Sequence, residues 1–311
     1  MTETLANSWF LTGPTAAGKT QVGLLLAERL GAEILSLDSM SIYRRMDIGT
    51  AKPSPAERAK IPHYLIDIVD PSEDFSLAQY LEAAEKAAAE VRSRGKEVLF
   101  VGGTPLYLKG LLRGICESPP ADWEFRRQVA EEVATIGAAA LHARLRQVDP
   151  LAAAKLHPND QRRIIRALEV YRATGQPLTH RQLEFDEGRS AEERRVFVLH
   201  WPRAELHRRI NARVEAMFAA GFVEEVRRLV EEGVPLGRTA EQAVGYQEIL
   251  AHLQGEANLP ATIAKVQART RQFAKRQETW FRSLSECRTI ELEEPLDANE
   301  VVERILQSSN G

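Results

Sequence analysis

The first strong hydrophobic signal along the chain is Trp9-Phe10-Leu11, a run of apolar residues typical of a strand buried on both faces. At 21–30, Val22, Leu25, Leu26 and Leu30 recur at helical spacing, and Gly31 ends the run as a left-handed cap would. Ile34-Leu35-Ser36-Leu37 predicts a second buried strand, ending at Asp38. Residues 39–71 hold no sustained period and are rich in Gly, Pro and charge, which predicts a long irregular connection. Connections of that length in a compact domain are usually functional. Ser76-Leu77-Ala78-Gln79 has the spacing of a capping box and opens an alanine-rich helix that stops at Gly95. Val98-Leu99-Phe100-Val101 then reads as a strand running into Gly102-Gly103-Thr104. Strands and helices in alternation predict an α/β fold, a parallel sheet with helices on both faces.

From about Cys116 to Arg194 the strand signal disappears and only amphipathic helical patterns remain. Ser118-Pro119-Pro120 and the polar run at 186–195 bound this stretch, which predicts an inserted all-helical domain at 116–194 within a core of 1–115 and 195–311. Val196-Phe197-Val198-Leu199 returns the chain to the sheet, and helices are expected from there to a polar tail at 307–311. With 44% apolar and 27% charged residues, the 311-residue chain can bury a full core. Cys116 and Cys287 are the only cysteines, which excludes a disulfide framework or a cysteine-based zinc site. The seven histidines lack metal-ligand spacing, so no protein-ligated metal is expected. No segment reaches the roughly 20 apolar residues of a membrane span, and no basic, then apolar leader precedes Trp9, so a cytosolic protein without membrane contact is expected. A net charge of −3 argues against a chain coated uniformly in nucleic acid, although the arginines are unevenly spread.

The chemistry begins between the first strand and the first helix. Gly13-Pro14-Thr15-Ala16-Ala17-Gly18-Lys19-Thr20 fits G-x-x-x-x-G-K-[ST] in the strand, loop, helix setting that the motif requires. The glycines let backbone N–H groups converge on a phosphate, the helix N-terminus adds partial positive charge, Lys19 adds a full one, and the Thr20 hydroxyl suits Mg²⁺. A di- or triphosphate is therefore expected here, whether or not it belongs to a nucleotide. An ATP-driven motor would carry a strand-terminal Walker-B aspartate, whereas the strand at Val98 runs into glycines. The nearby strand-terminal carboxylate is Asp38, at the sheet edge where ligands of open α/β folds bind. Such a carboxylate serves a small-molecule kinase, as the base that activates a hydroxyl, and another diphosphate-using transferase equally well. A nucleotide-gated RNA-binding protein without chemistry is a third reading.

Several runs narrow the choice. Gly13 to Thr20, Asp38-Ser39, Met46-Asp47-Ile48-Gly49-Thr50-Ala51-Lys52-Pro53, Pro62-His63, Asp67 to Pro71 and Val101-Gly102-Gly103-Thr104-Pro105-Leu106-Tyr107 occur in order. Downstream come His157-Pro158-Asn159-Asp160, Arg163, Arg166-Ala167-Leu168-Glu169-Val170, Gly221-Phe222, Val244-Gly245-Tyr246, Phe273-Ala274-Lys275-Arg276-Gln277 and Thr279-Trp280. Together they resemble the bacterial tRNA dimethylallyltransferase family from about Phe10 to Arg282. The resemblance implies a P-loop NTPase-like core with an inserted helical tRNA-binding domain. It implies transfer of a dimethylallyl group from its diphosphate to N6 of adenosine 37, next to the anticodon, in tRNAs that read codons starting with U.

By the same resemblance the loop from Gly13 to Thr20 holds dimethylallyl diphosphate, with Mg²⁺ on Thr20. Asp38 matches the family's general base, Arg213 an arginine that reaches the diphosphate, and Thr104 a residue against the target nucleoside. The tRNA anticodon stem-loop is expected to meet Asp38, Ser39, Met40, Ser41, Thr104, Arg126, Arg162, Arg163, Ile164, Ile165 and Arg166, and the run Gln242, Ala243, Val244, Gly245, Tyr246 and Gln247. Arg162, Arg163 and Arg166 lie within one turn, opposite Ile164 and Leu168, as a phosphate-gripping strip would. Lys265, Arg269, Gln272 and Arg276 form a similar strip beside an apolar side of Phe273, Phe281 and Leu284, where either RNA contact or core packing fits. Ser41 stands where the family commonly has glutamine, and Gln247 where a basic residue is common. Monomeric action is the default expectation.

Overall fold

A computed structural model describes residues 5, 8–115, 119–182, 188–233 and 235–309. The chain forms two compact units, Met1–Leu112 with Gly188–Gly311, and Arg113–Glu187. The sequence-based boundary markers Cys116, Ser118 and Asp186 lie outside the described residues, as do the last two residues of the expected polar tail.

In the larger unit, β1 (Trp9–Thr12), α1 (Lys19–Leu30), β2 (Ala32–Ser36), α2 (Pro55–Lys60), β3 (His63–Tyr64), α3 (Leu77–Ser93), β4 (Glu97–Val101) and α4 (Pro105–Arg113) come first. Among the described residues the sheet has six strands, all parallel, in the order β3-β2-β4-β1-β5-β6, with β5 at Arg195–His200 and β6 at Cys287–Glu291. Alternate residues serve opposite faces, as the period of a strand requires. Trp9, Leu11, Phe197 and Leu199 enter one core with Leu26, Ile210 and Ile305. Phe10, Val196 and Val198 enter the other with Leu35, Tyr80, Phe100 and Leu108. Burial on both faces explains why these strands read as unbroken apolar runs.

Four elements depart from the sequence reading. The stretch 39–71 contains α2, whose start is a capping box from Ser54 to Glu57 with Pro55 at the first helical position, and the short strand β3. A third core of Ile42, Tyr43, Met46 and Val69 packs this stretch against Phe222, Val226, Tyr246 and Ile249. β6 is an edge strand with Ile290 as its one buried residue, which leaves too little pattern to detect. The last helix runs from Ala298 to Ser309, through most of the expected polar tail. The capping box at Ser76 and the cap at Gly31 occur as read.

The smaller unit is helical: α5 (Trp123–Ile136), α6 (Ala138–Val148), α7 (Pro150–Lys155), α8 (Gln161–Thr174) and α9 (Leu178–Gln182). Its core joins Phe125, Val129, Leu141, Leu145, Ile164, Ile165 and Leu168. The chain then re-enters the larger unit and, after β5, forms α10 (Arg203–Ala219), α11 (Phe222–Glu231), α12 (Tyr246–Leu253), α13 (Leu259–Arg282) and, after β6, α14 (Ala298–Ser309).

Candidate active site

From β1 the chain first builds strands on one side of the sheet and later, with β5 and β6, on the other. A crevice at the carboxyl ends is expected where that direction reverses. There the loops after β1, β2 and β4 border a cavity of about 600 Å³, closed further by α10 and α13.

The loop after β1 has the conformation that phosphate binding needs. Gly13 has φ +144°, and a Cβ there would lie 2.7 Å from the Leu199 carbonyl oxygen, so only glycine fits between β1 and β5. Lys19, the first residue of α1, folds back to donate from Nζ to the carbonyl oxygens of Gly13 at 3.0 Å and Pro14 at 2.7 Å. Burial and, to a lesser degree, the neighbouring Arg213 lower its pKa to about 7 against the opposing effect of Asp38. Arg213 comes from α10; its pKa is also lowered by burial, again against Asp38. Two basic side chains close together in a desolvated crevice face the single carboxylate of Asp38, which is the electrostatic setting of an anion site.

Asp38 lies two residues beyond the end of β2. Its Oδ1 accepts the Met40 N–H at 2.8 Å, and its backbone carbonyl accepts the Ser41 hydroxyl at 3.3 Å. Ser41 Oγ also pairs with Ser36 Oγ at 2.6 Å. Ser41 is 4% exposed, so its hydroxyl supports the Asp38 turn from behind even though the residue borders the cavity. Across the crevice, Thr104 Oγ1 accepts the Ser39 N–H at 3.0 Å, and the Thr104 N–H donates to the Leu37 carbonyl at 3.1 Å. The turn carrying the carboxylate and the loop after β4 are thus tied together.

The far wall holds residues that sequence reasoning missed. Glu225 of α11 accepts backbone N–H groups from Asp47 (2.8 Å), Ile48 (2.6 Å) and Gly49 (3.0 Å), and the Tyr246 hydroxyl at 2.7 Å. Lys52 Nζ, its side chain 1% exposed, reaches Tyr43 O, Asp47 and Asp67. These bonds convert the run from Met46 to Pro53 into a fixed wall. α13 turns Arg269, Phe273, Arg276 and Gln277 toward the cavity, while Phe281 is core and Lys265 and Gln272 are exposed. The spacing of α13 signalled a two-sided helix, but the crevice-facing side includes Phe273, which had been assigned to the apolar side.

Of the expected tRNA-contacting run, Gln242, Ala243 and Val244 border the cavity. Tyr246 does not: it is fully buried against Phe222, with ring centroids 5.1 Å apart, because its hydroxyl finds Glu225 inside. Gly245 and Gln247 lie at the start of α12, where Gln247 accepts from Arg269 at 3.4 Å. In the smaller unit Ile164 (0% exposed) and Ile165 (8%) face the core, so their side chains are removed from any RNA contact. Arg126 and Arg166 converge on the carboxylate of Glu169, itself 2% exposed, with Arg126 bidentate at 2.8 Å. Arg162 is exposed, and Arg163 is 70% exposed and paired with Asp160.

The residues present also suit a magnesium ion. Thr20, in the first turn of α1, and Asp38 both border the cavity, and hydroxyl, carboxylate and diphosphate oxygens form the hard donor set this ion takes.

A parallel sheet with this loop at its switch point, two buried cations and an opposed carboxylate define a P-loop protein built to bind a phosphorylated substrate and act on it. The IPP transferase family model matches residues 41–284. The chain belongs to that family. It is 50% identical to the tRNA dimethylallyltransferase of Rhodopirellula baltica, over 96% of this chain and 92% of that protein. It is 46% identical to the tRNA dimethylallyltransferase of Syntrophobacter fumaroxidans, over 96% and 86%. Among solved structures it resembles the full-length tRNA isopentenylpyrophosphate transferase of Bacillus halodurans, at 36% identity and a TM-score of 0.68 over 97% and 96% of the two chains. A eukaryotic dimethylallyltransferase acting on tRNA matches with a TM-score of 0.73 and 28% identity, over 91% of this chain and 73% of that one.

Proposed function

We infer that this chain is a tRNA dimethylallyltransferase, moving a dimethylallyl group from dimethylallyl diphosphate to N6 of adenosine 37 in tRNAs reading codons that start with U. The observation that carries the chemistry is the placement of Lys19 and Arg213 against Asp38 in one desolvated crevice. The amine of adenine is a poor nucleophile because its lone pair is conjugated into the ring. As the N6 lone pair attacks the allylic carbon, the C–O bond to the diphosphate breaks and pyrophosphate leaves. The N6 proton passes to the Asp38 carboxylate. Lys19, Arg213 and the backbone amides from Ala16 to Thr20 stabilise the charge that collects on the leaving diphosphate. The Thr20 hydroxyl would hold a Mg²⁺ ion here, which would supply Lewis-acid neutralisation of that charge.

An adenosine inside an anticodon loop must leave its stack to enter the crevice, at a cost of a few kcal/mol offset by contacts elsewhere. Exposed Arg162 and Arg163 of the helical unit are suited to grip backbone phosphates, while Arg126 and Arg166 hold Glu169 and shape that surface. We place the protein in the cytoplasm as a monomer. The kinase alternative finds no support among the relatives and solved structures above. The test is transfer of label: purified protein, Mg²⁺, labelled dimethylallyl diphosphate and unmodified tRNA are expected to give labelled tRNA. Label that stays wholly in the donor would refute the reading.

A further inference from the structure

Gln277 is 4% exposed, lies on α13 and touches both loops that carry the chemistry. Its Oε1 accepts the Thr15 N–H of the phosphate loop at 2.9 Å, and its Nε2 donates to the Gly103 carbonyl of the loop after β4 at 2.5 Å. These two partners fix the orientation of the amide, since only its oxygen accepts and only its nitrogen donates. The approach is close: a Cβ on Gly103 would lie 2.7 Å from Nε2, 3.1 Å from the Gly13 carbonyl oxygen and 3.3 Å from Lys19 Nζ.

We propose that Gln277 is a positioning residue of the transfer reaction, a clasp that sets the diphosphate cradle against the loop bearing Thr104. The inference rests on the transferase reading. Thr104 holds the Asp38 turn through the Ser39 N–H, so Gln277 links the leaving-group end of the site to the base end through two short loops. In-line displacement needs the nucleophile, the allylic carbon and the leaving oxygen aligned, and the clasp fixes the distance between the groups that hold the two ends. It also occupies the first N–H of the loop interior with a neutral acceptor, which leaves the later amides to the diphosphate.

Gln277→Met and Gln277→Glu separate this role from packing. Methionine keeps the volume and removes both hydrogen bonds. It is expected to lower kcat/KM for the donor roughly 10- to 100-fold, as a small misplacement does, and to weaken inorganic pyrophosphate binding by calorimetry, with tRNA affinity held within about twofold. Glutamate accepts from Thr15 in either state but donates to Gly103 only when protonated. The activity ratio of Gln277→Glu to wild type is therefore expected to rise as pH falls, burial favouring the protonated carboxyl and Lys19, which also lies against Gly103, opposing it. Gln277→Met activity within about twofold of wild type, or a pH-independent Gln277→Glu ratio, overturns the clasp. So does a loss of tRNA affinity in step with donor affinity, which would mark Gln277 as general support for the fold. If wild type binds pyrophosphate but transfers nothing to tRNA, the transferase reading fails, and the pyrophosphate affinity of Gln277→Met alone decides whether the clasp exists.

Discussion

Lys19 is the residue whose ionisation the site most directly controls. With a pKa of about 7 in the free protein, it is largely protonated below that pH and largely neutral above it. A bound diphosphate favours the charged form and raises the pKa. Donor binding therefore costs no proton below about pH 7, must draw one from solvent above it, and weakens as pH rises until the bound pKa is passed. Calorimetry at about pH 8 in two buffers of different ionisation enthalpy is expected to show proton uptake, which Lys19→Arg abolishes because arginine stays charged. Binding without proton uptake would contradict the assigned burial. Asp38→Ala is expected to lower kcat by about 10²- to 10⁴-fold, the usual worth of a general base, with little change in tRNA affinity. Lys19, Asp38 and Thr104 were legible because a local motif or a strand end fixes them. Gln277 was not, since its role arises from a bond to Thr15 across 262 residues of chain.

Elements show where local pattern and tertiary structure part. The run from Met46 to Pro53 reads as irregular because its order comes from outside: Glu225 supplies the acceptor for three of its N–H groups, and Gly49 admits the rings of Phe222 and Tyr246. Glu225→Ala orphans those donors and is expected to cost about 2–4 kcal/mol in denaturant unfolding. A cost below about 0.5 kcal/mol, the size of an ordinary surface change, would show that the wall holds itself. On α8 the helical period was readable, but a strip of residues that includes Ile164 and Ile165 mixes two faces. Ile164→Ala is expected to destabilise the protein by about 2–5 kcal/mol as a core truncation. Arg163→Ala is expected to leave stability nearly unchanged and to reduce the salt slope of tRNA binding by about one. β6 escaped detection because an edge strand with one buried side chain carries no alternation to read.

At the scale of the molecule, the net charge of −3 conceals how the charges are used. Arg126 and Arg166 are consumed by Glu169, Arg269 by the buried Glu248, and Lys52 by Asp47 and Asp67, so many cations serve the fold. Lys19 and Arg213 are instead turned inward beside Asp38. The doubly buried strands β1, β2, β4 and β5 and the long amphipathic helices were readable from hydrophobic period, whereas α2, β3 and β6 were not. The phosphate loop alone pointed equally to a nucleotide. We propose that its partners across the crevice make it a leaving-group site. The most direct measurement digests tRNA to nucleosides after reaction with dimethylallyl diphosphate and counts modified adenosine against pyrophosphate released. Equal amounts of N6-dimethylallyl adenosine and pyrophosphate, with no need for ATP, are the expected result. Unmodified adenosine together with phosphoryl transfer from ATP to a small acceptor would contradict the account.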